Sequence, residues 1–282
     1  MKLIRYGLPG REHTGVQIDG VNYDTSDFGS DYNEQFFEFG GIESLKHYVS
    51  THKLKEIDKQ ERLGSPVARP SKIVCIGLNY ADHARETGAA LPSEPVIFLK
   101  SSSSLSGPFD PIVIPKNSVK TDWEVELAVV IGKKASYVDE ADAKDYIAGY
   151  VLHNDVSERE FQLERNGTWD KGKGCDTFAP LGPFLATPDE IGDIDNLRIW
   201  LSVNDKIMQD GTTANLIFKI PYLIHYASQF MTLLPGDVIS TGTPAGVGLG
   251  FKPPVYLKPG DVVTLGIDGL GQSEQKLVAY SK

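Results

Sequence analysis

Cysteine is scarce in this chain, since only Cys75 and Cys175 occur and they lack the CxxC spacing of a redox or zinc motif. Neither a disulfide framework nor a cysteine-based metal cluster is indicated. Long apolar runs are also missing, because no stretch approaches the roughly 18 apolar residues of a membrane-spanning helix. Gly7 interrupts the N-terminus before an apolar signal-peptide core can form. These absences predict a cytoplasmic protein with no membrane contact.

Positive charge is sparse as well. The chain has 28 Lys and Arg against 38 Asp and Glu, a formal net charge of −10, and no block rich in Lys or Arg. Nucleic acid is therefore not an expected partner. What the chain does have is 282 residues of ordinary globular composition, 40% of them hydrophobic, which is enough to bury a large core.

A segment rich in glycine and proline, residues 64–70, divides the chain, because neither a helix nor a central strand continues through it. We expect a small N-terminal domain over residues 1–64 and a larger domain over residues 65–282. The larger part contains short apolar runs separated by turns, which is typical of strands. The runs are 73–76, 96–99, 112–114, 125–131, 147–152, 197–203, 238–240 and 262–267. Amphipathic helical patterns fit only 80–87, 139–144, 158–164 and 221–230, so the pattern predicts a strand-rich α+β fold with peripheral helices.

Glu124 and Glu126 lie two positions apart in an apolar, β-branched run. Side chains alternate faces along a strand, so the two carboxylates point the same way. Burying both is costly unless a hard divalent cation neutralises them. Asp155 follows the next apolar run and offers a third oxygen ligand, and a set of oxygens suits Mg²⁺, Mn²⁺ or Ca²⁺ rather than zinc. The alternative is that both glutamates lie on the exposed face of an edge strand.

His83 and Glu86 are three positions apart where a strand, a glycine turn and a helix are expected. That spacing places them on one helical face. A carboxylate fixes the tautomer of the imidazole and stabilises its protonated form, so the pair can serve as a general base. A surface histidine beside a solvated glutamate is the simpler alternative.

Arg159 and Gln162 lie one and two helical turns beyond Asp155, where a guanidinium suits a carboxylate and an amide can donate to a carbonyl oxygen. Lys173 can offer an ammonium group to a developing oxyanion. Such groups are often only solvated. The glycine-rich segment around Thr243 lacks the Gly-Lys-Ser/Thr ending of a P-loop, so it does not indicate a nucleotide site, but its hydroxyl and N–H groups can meet a carboxylate.

Six motifs occur in order: Gly-Leu-Asn-Tyr-Ala-Asp-His-Ala-Arg-Glu, Glu-Pro-Val-Ile-Phe-Leu-Lys, Trp-Glu-Val-Glu-Leu, Asn-Asp-Val-Ser-Glu-Arg, Ile-Pro-Tyr-Leu-Ile and Thr-Gly-Thr-Pro-Ala-Gly-Val-Gly. Together they closely resemble the fumarylacetoacetate hydrolase family, over roughly residues 70 to 280. The resemblance implies a catalytic domain with a mixed β-roll, a bound Mg²⁺ or similar ion, and a homodimer.

The resemblance also implies the roles of nine residues. Those residues are the metal ligands Glu124, Glu126 and Asp155, the catalytic His83, Glu86 and Lys173, and the substrate-contacting Arg159, Gln162 and Thr243. The lysine match has an alternative in Lys171, two positions away.

Animal members of the family carry an additional aspartate ligand where this chain has Gly77-Leu78-Asn79. This departure favours the shorter acylpyruvase and 2,4-diketo-acid hydrolase branch. The implied reaction is metal-dependent cleavage of the C3–C4 bond of a small keto acid, an acylpyruvate or a 2,4-diketo-3-deoxy sugar acid, to pyruvate and a carboxylic acid. Decarboxylation or tautomerisation of oxaloacetate-like acids and ureidoglycolate lyase activity stay open. A catalytically silent binding protein predicts a damaged dyad or ligand set, and both are intact in the sequence.

Overall fold

A computed structural model describes residues 1–88 and 90–281 of the chain. The strands within these residues are β1 (Lys2–Tyr6), β2 (His13–Ile18), β3 (Val21–Asp24), β4 (Lys55–Glu56), β5 (Leu63–Gly64), β6 (Ile73–Gly77), β7 (Val96–Lys100), β8 (Leu105–Ser106), β9 (Ile112–Ile114), β10 (Thr121–Asp122), β11 (Val125–Ile131), β12 (Ile147–Asn154), β13 (Ser157–Glu158), β14 (Ala179–Pro180), β15 (Leu185–Ala186), β16 (Arg198–Val203), β17 (Lys206–Thr212), β18 (Val238–Ser240), β19 (Val262–Ile267) and β20 (Gly271–Ala279).

Helices are few and short. They are α1 (Glu34–Glu38), α2 (Gly41–Thr51), α3 (Ala81–Thr87), α4 (Asp170–Lys173) and α5 (Ile220–Ser228), with 3₁₀ turns at Ser26–Phe28, Ser102–Ser104, Glu140–Tyr146, Pro188–Glu190, Ile194–Asn196, Thr213–Asn215 and Gly248–Gly250 and a π-helical turn at Glu160–Glu164. Pro221 in the first turn of α5 has no N–H to leave unsatisfied, and Gly88 ends α3 with a left-handed φ of 68°. No helix in the described part of the chain combines the length and apolarity needed to cross a bilayer.

The largest sheet runs in the order β4-β3-β2-β1-β15-β12-β11-β18-β6-β7, with β5 added beside β1. Its centre is antiparallel, since β11 pairs with β12 on one side and with β18 on the other, whereas β18 and β6 are parallel. All seven residues of β11 are buried. Such a strand reads as a continuous apolar run because both of its faces are covered.

Each face of β11 contributes to a different apolar core. Val125, Leu127 and Val129 face a second sheet, β17-β16-β19-β20-β9, and the apolar side of α5. Ala128 and Val130 face the opposite way, toward a cluster that includes residues of α1 and α2. The second face also carries Glu126, so the site described below lies at one end of that face of the sheet.

The strand-rich α+β prediction is confirmed, and the eight apolar runs each coincide with a strand to within about two residues. Among the described strands of residues 65–282 that are longer than two residues, β17 and β20 went unpredicted. β17 is an exposed edge strand, and two of the three buried positions of β20 are the polar Ser273 and Gln275. The helix expected over 158–164 is instead β13, paired with β10, followed by the π-helical turn.

Residues 1–64 continue the large sheet, because β1 hydrogen-bonds β15 in addition to β2 and β5. The domain boundary placed after residue 64 stays a prediction.

Candidate active site

Three buried carboxylates converge beside the end of β11. Ligand oxygens of Glu124, Glu126 and Asp155 all lie within 4.8 Å of one another, and the three residues are at most 6% exposed. Glu124 immediately precedes β11, Glu126 is its second residue, and Asp155 follows the paired strand β12. β11 is a central strand, so the alternative of an exposed edge strand is wrong.

Two of these carboxylates have cationic partners. Lys173 Nζ bridges Glu124 Oε2 at 2.7 Å and Asp155 Oδ2 at 2.9 Å. Lys100 Nζ lies 2.5 Å from the other oxygen of Asp155, and Arg159 Nη2 lies 2.7 Å from Glu124 Oε1. Burial raises the pKa of Glu124, yet Lys173 and Arg159 bring it below its usual value.

Glu126 is different, because its described partners are neutral. One of its oxygens accepts from Ser240 Oγ at 2.5 Å and from the backbone N–H of Gly242 at 3.0 Å. Burial, Asp155 and Glu124 together hold the pKa of Glu126 well above its usual value. The site therefore carries one buried carboxyl group whose charge the described residues do not balance.

That imbalance, with a set of oxygen donors, fits a hard divalent cation. Mg²⁺, Mn²⁺ and Ca²⁺ prefer carboxylate oxygens, and a bound cation would neutralise the charge on Glu126. Glu124, Glu126 and Asp155 are the residues that would hold it.

The glycine-rich segment after β18 binds the protein's own carboxylates. Its backbone N–H groups at Gly242, Gly246 and Gly248 donate to Glu126, Glu86 and Asp122 respectively, at 2.7 to 3.0 Å. Gly246 has φ of 105°, and a Cβ there would lie 2.0 Å from the carbonyl oxygen of Met208, so the segment requires glycine at this position. One loop thus fixes a candidate metal ligand and one member of the predicted dyad.

His83 and Glu86 meet on α3 as their spacing predicts. His83 Nδ1 lies 3.5 Å from Glu86 Oε2, and the histidine is 8% exposed. Burial raises the pKa of Glu86, but the contacts with His83 and with the Gly246 N–H bring it below its usual value, so the carboxylate stays ionised. Because Nδ1 faces Glu86, Nε2 is the nitrogen placed to exchange a proton with a ligand. A surface histidine beside a solvated glutamate does not describe this pair.

A cavity of about 210 Å³ joins the two groups. Its polar lining consists of His83, Glu124, Glu126, Arg159, Gln162, Lys173 and Thr243. The apolar lining consists of Ile76, Leu78, Phe98, Leu163, Trp169 and Leu249. Trp169 packs on Phe98 and on the backbone of Gly77, where a Cβ would lie 2.5 Å from the indole ring. Seven of the nine predicted site residues line this cavity, and the other two, Glu86 and Asp155, contact the lining residues His83 and Lys173.

Lys173 and Lys171, the two candidates for the site lysine, differ in their burial and contacts. Lys173 is 1% exposed and lines the cavity, whereas Lys171 is exposed and donates to the backbone carbonyl of Arg165 at 2.8 Å. Burial lowers the pKa of Lys173, but the carboxylates of Asp155 and Glu124 outweigh this effect, so its pKa lies above the usual value and the ammonium stays charged.

Two predicted substrate contacts are already engaged with protein. Arg159 donates to Asp122 from Nε at 2.8 Å and to Gln162 from Nη1 at 3.0 Å, in addition to its ion pair with Glu124. The hydroxyl of Thr243 donates to the carbonyl of Val125 and accepts from Gln209. Gln162 accepts from Arg159, which leaves its amide N–H groups for a ligand.

Four buried polar residues around the site were not predicted: Lys100, Asp122, His153 and Ser240. Asp122 and His153 lie within two residues of predicted metal ligands. Their position beside the ligand motifs is the sequence feature that could have identified them. Lys100 on β7 contacts Asp155 after β12, and Ser240 on β18 contacts Glu126 on β11. These contacts join segments far apart in the chain, so no sequence spacing predicts them.

Comparison with known proteins agrees with this geometry. The model of the fumarylacetoacetate hydrolase C-terminal domain matches residues 72–278. A protein of Burkholderia multivorans with a provisional hydrolase name is 52% identical over 277 residues, which are 98% of each chain. The solved fumarylacetoacetate hydrolase of Exiguobacterium antarcticum is 33% identical with a TM-score of 0.87, covering 99% of this chain and 100% of its own.

A further solved structure holds two ligands. Maleylpyruvate hydrolase of Sphingobium sp. SYK-6, in complex with manganese(II) ion and pyruvate, is 32% identical with a TM-score of 0.81, and the match covers both chains fully. The family model spans most of this chain, and the relatives match it from end to end. The chain therefore belongs to the fumarylacetoacetate hydrolase family.

Proposed function

We propose that this protein is a metal-dependent hydrolase of 2,4-diketo acids, which cleaves the C3–C4 bond of an acylpyruvate to give pyruvate and a carboxylic acid. The observation that carries the proposal is the joining of a buried Glu124, Glu126 and Asp155 cluster and a His83–Glu86 pair by one small cavity. An enolate-forming cleavage needs a cation site and a water-activating base together. The manganese and pyruvate bound by the Sphingobium relative support the same reading.

The cation, when bound, would act as a Lewis acid toward the C1 carboxylate and C2 oxygen of the substrate and stabilise the enolate product. The residues expected to hold it are Glu124, Glu126 and Asp155. We propose Mg²⁺ as the resident ion, with Mn²⁺ or Ca²⁺ as substitutes, because the donor set consists of carboxylate oxygens.

His83 supplies the base. Glu86 holds the imidazole through Nδ1, so Nε2 takes a proton from a water molecule, and the resulting hydroxide attacks the C4 carbonyl carbon. The carbonyl π electrons move to oxygen, and the third N–H of Lys173 and the free amide of Gln162 donate to that oxyanion. When the oxyanion collapses, the C3–C4 bond breaks and its electron pair passes to the pyruvate fragment as an enolate. The proton that His83 Nε2 took from water would then return to C3, which gives pyruvate and regenerates the base.

Groups at the polar end of the cavity would bind the C1 carboxylate of the substrate. Arg159 keeps one N–H on Nη1 beyond its bond to Gln162, and Nη2, which meets Glu124 as an ion pair, makes no hydrogen bond to the described residues. The hydroxyl proton of Thr243 goes to Val125, so its contribution to a substrate carboxylate would come from the backbone N–H group. Both groups would hold the C1 end while His83 acts at C4.

The apolar lining favours one branch of the diketo acids. Leu78, Leu163, Trp169 and Leu249 offer no polar side-chain partner except the indole N–H, so a polyhydroxylated chain would lose hydrogen bonds to water there. A cavity of about 150 Å³ holds benzene, and the 210 Å³ here is only moderately larger. We therefore place a short, apolar acyl group at C4 rather than a sugar-acid chain.

The test is pyruvate release from short-chain acylpyruvates, a 2,4-diketo-3-deoxy sugar acid and oxaloacetate, each with Mg²⁺ or EDTA. Acylpyruvate cleavage should need the metal and should fall about 10²- to 10⁴-fold in kcat in His83→Ala. The exposed helical variant His47→Ala is the matched control and should keep wild-type rates. Turnover of oxaloacetate alone, unchanged in His83→Ala, would replace this proposal with a decarboxylase or tautomerase.

We also propose a homodimer, from the family resemblance, and a cytoplasmic location, from the scarcity of cysteine. Light scattering of the purified chain and fractionation of the source cell test them.

A further inference from the structure

His153 is a fully buried histidine that the proposed reaction does not use. It lies on β12 directly opposite Glu126 on β11, and both side chains are on the face of the sheet that carries the site. His153 Nδ1 is 2.6 Å from Ser240 Oγ, and Ser240 Oγ is 2.5 Å from Glu126 Oε2. The three side chains form a continuous hydrogen-bonded line across β12, β11 and β18.

The direction of these hydrogen bonds follows from the number of protons available. A carboxylate that binds a cation has no proton, so Glu126 can only accept, and Ser240 must donate its single hydroxyl proton to it. The Ser240 oxygen is then an acceptor toward His153, which must carry its proton on Nδ1. In the neutral ring Nε2 is then unprotonated, and Nε2 has no hydrogen-bond partner among the described residues.

We infer that His153 is a positioning residue for the metal site, acting on Glu126 through Ser240. With Oε2 of Glu126 held by Ser240 and by the Gly242 N–H, the carboxylate cannot rotate, and Oε1 is the oxygen left for the cation. This inference rests on the cation site of the proposed function. Hydrogen bonds that orient a ligand contribute to metal affinity even though they do not touch the metal.

A simple packing role does not account for the geometry. An apolar side chain would fill the same space without burying an unpartnered Nε2, which costs free energy. The short Nδ1 contact to a hydroxyl that itself contacts a candidate ligand is the feature that requires an imidazole or another donor at this position.

A double-mutant cycle on cation binding tests the coupling. Mn²⁺ affinity is measured by titration for wild type, His153→Leu, Ser240→Ala and the double variant, without any substrate. His153→Leu should weaken Mn²⁺ binding by about 10- to 100-fold, but should add little in the Ser240→Ala background because the route through Ser240 is already broken. Equal losses in the two backgrounds, or no loss in either, overturn the inference.

Two further variants separate positioning from packing. His153→Asn keeps an N–H close to the Nδ1 position and should restore most of the affinity lost in His153→Leu. His225→Leu removes a similar Nδ1 contact, 2.7 Å to the carbonyl of Val138 and away from the described site, and should leave Mn²⁺ affinity unchanged. An Asn variant as weak as the Leu variant contradicts the proposed donor role.

The protonated nitrogen of His153 can be identified in the wild-type protein, so this test does not depend on the folding of a variant. Long-range ¹H–¹⁵N spectra of the Mg²⁺-loaded wild type should show His153 protonated on Nδ1 and not on Nε2. An Nε2–H tautomer overturns the inference. A wild-type protein that binds no divalent cation refutes the proposed metal site and this role with it, whereas cation binding that ignores His153 and Ser240 refutes only the positioning role.

Discussion

The backbone N–H of Gly246 donates to the carboxylate of Glu86 and lies 3.0 Å from each of its oxygens. Glu86 in turn contacts His83, so the glycine-rich segment orients the proposed general base through an intermediate carboxylate. The same segment holds Glu126 through Gly242. The same backbone segment therefore holds the proposed base and a candidate cation ligand, and displacement of that segment should disturb both.

Replacing Gly246 with alanine tests this shared support. The new Cβ would lie 2.0 Å from the Met208 carbonyl oxygen, and φ of 105° is unfavourable for alanine, so the segment must move. We expect kcat to fall by about 10²-fold, as for other misplacements near 1 Å, with a lower melting temperature. Gly260→Ala is the matched control, because its φ is 97° with no atom within 4 Å of the added Cβ. Equal kcat in the two variants would contradict the support role.

The ionisation of Glu86 should make stability depend on pH. Burial raises its pKa, yet the His83 and Gly246 contacts bring it below its usual value. A depressed pKa stabilises the fold above the unfolded-state pKa, and this contribution disappears as the pH falls through the folded-state pKa. The difference in unfolding free energy between wild type and Glu86→Gln should therefore be constant above about pH 5 and shrink below the usual glutamate pKa of about 4.3.

Denaturant titrations at a series of pH values measure this difference. The exposed variant Glu38→Gln serves as the control for the removal of one glutamate charge at the surface. A gap that widens on acidification would mean that the direction assigned to the Glu86 pKa is wrong.

Much of the fold was predictable because its strands are short, buried and apolar. The run 125–131 matches β11 to the residue, since a strand covered on both faces shows in the sequence as an uninterrupted β-branched run. The inward face of β20 carries Ser273 and Gln275, so the same rule failed there. The sequence could not predict its burial because the hydrogen bonds of Gln275 go to Asn154 and Pro108, far away in the chain.

The residues of the candidate site were also predictable only in part. His83 with Glu86, and Glu124 with Glu126, are local pairs, and spacing on a helix or near a strand was enough to place them together. Lys100 meets Asp155 only because β7 and β12 belong to one sheet, and no local pattern records that contact. Local pairs were thus predictable, whereas the charges that balance them were not.

Lys100 supplies one of those balancing charges. Its Nζ contacts Asp155 Oδ1 at 2.5 Å and the Val156 carbonyl at 3.0 Å, and neither side chain of the ion pair is exposed. Lys100→Met leaves a buried carboxylate without this partner, so the metal-free protein should lose about 3–5 kcal/mol of unfolding free energy. Saturating Mg²⁺ should recover part of the loss, because a cation again neutralises Asp155.

Chemical denaturation with Mg²⁺ and with EDTA measures both effects. Lys46→Met removes a lysine from a partly exposed pair with Glu43 and is the control, since exposed pairs contribute little. A Lys100→Met loss no larger than the control's would show that the buried pair does not stabilise the fold.

Asp122 holds the guanidinium of Arg159 in place through a buried hydrogen bond. Its four acceptor positions are filled, because Oδ1 accepts from the N–H groups of Trp123 and Gly248 and Oδ2 accepts from Leu249 N–H and from Arg159 Nε. An asparagine presents an NH₂ group to two of these donors, so Asp122→Asn must break contacts on one side and remove the charge that faces the guanidinium.

Arg159 should then shift away from Glu124 and Gln162, with a fall in kcat/KM of about 10²-fold and weaker Mn²⁺ binding. Asp210→Asn is the matched control, because Asp210 also pairs with an arginine, Arg198, but at the surface. Steady-state kinetics with an acylpyruvate and Mn²⁺ titration check the two effects separately. Loss of kcat/KM with unchanged Mn²⁺ affinity would limit Arg159 to substrate binding, whereas wild-type values in both would show that its link to Asp122 does not organise the site.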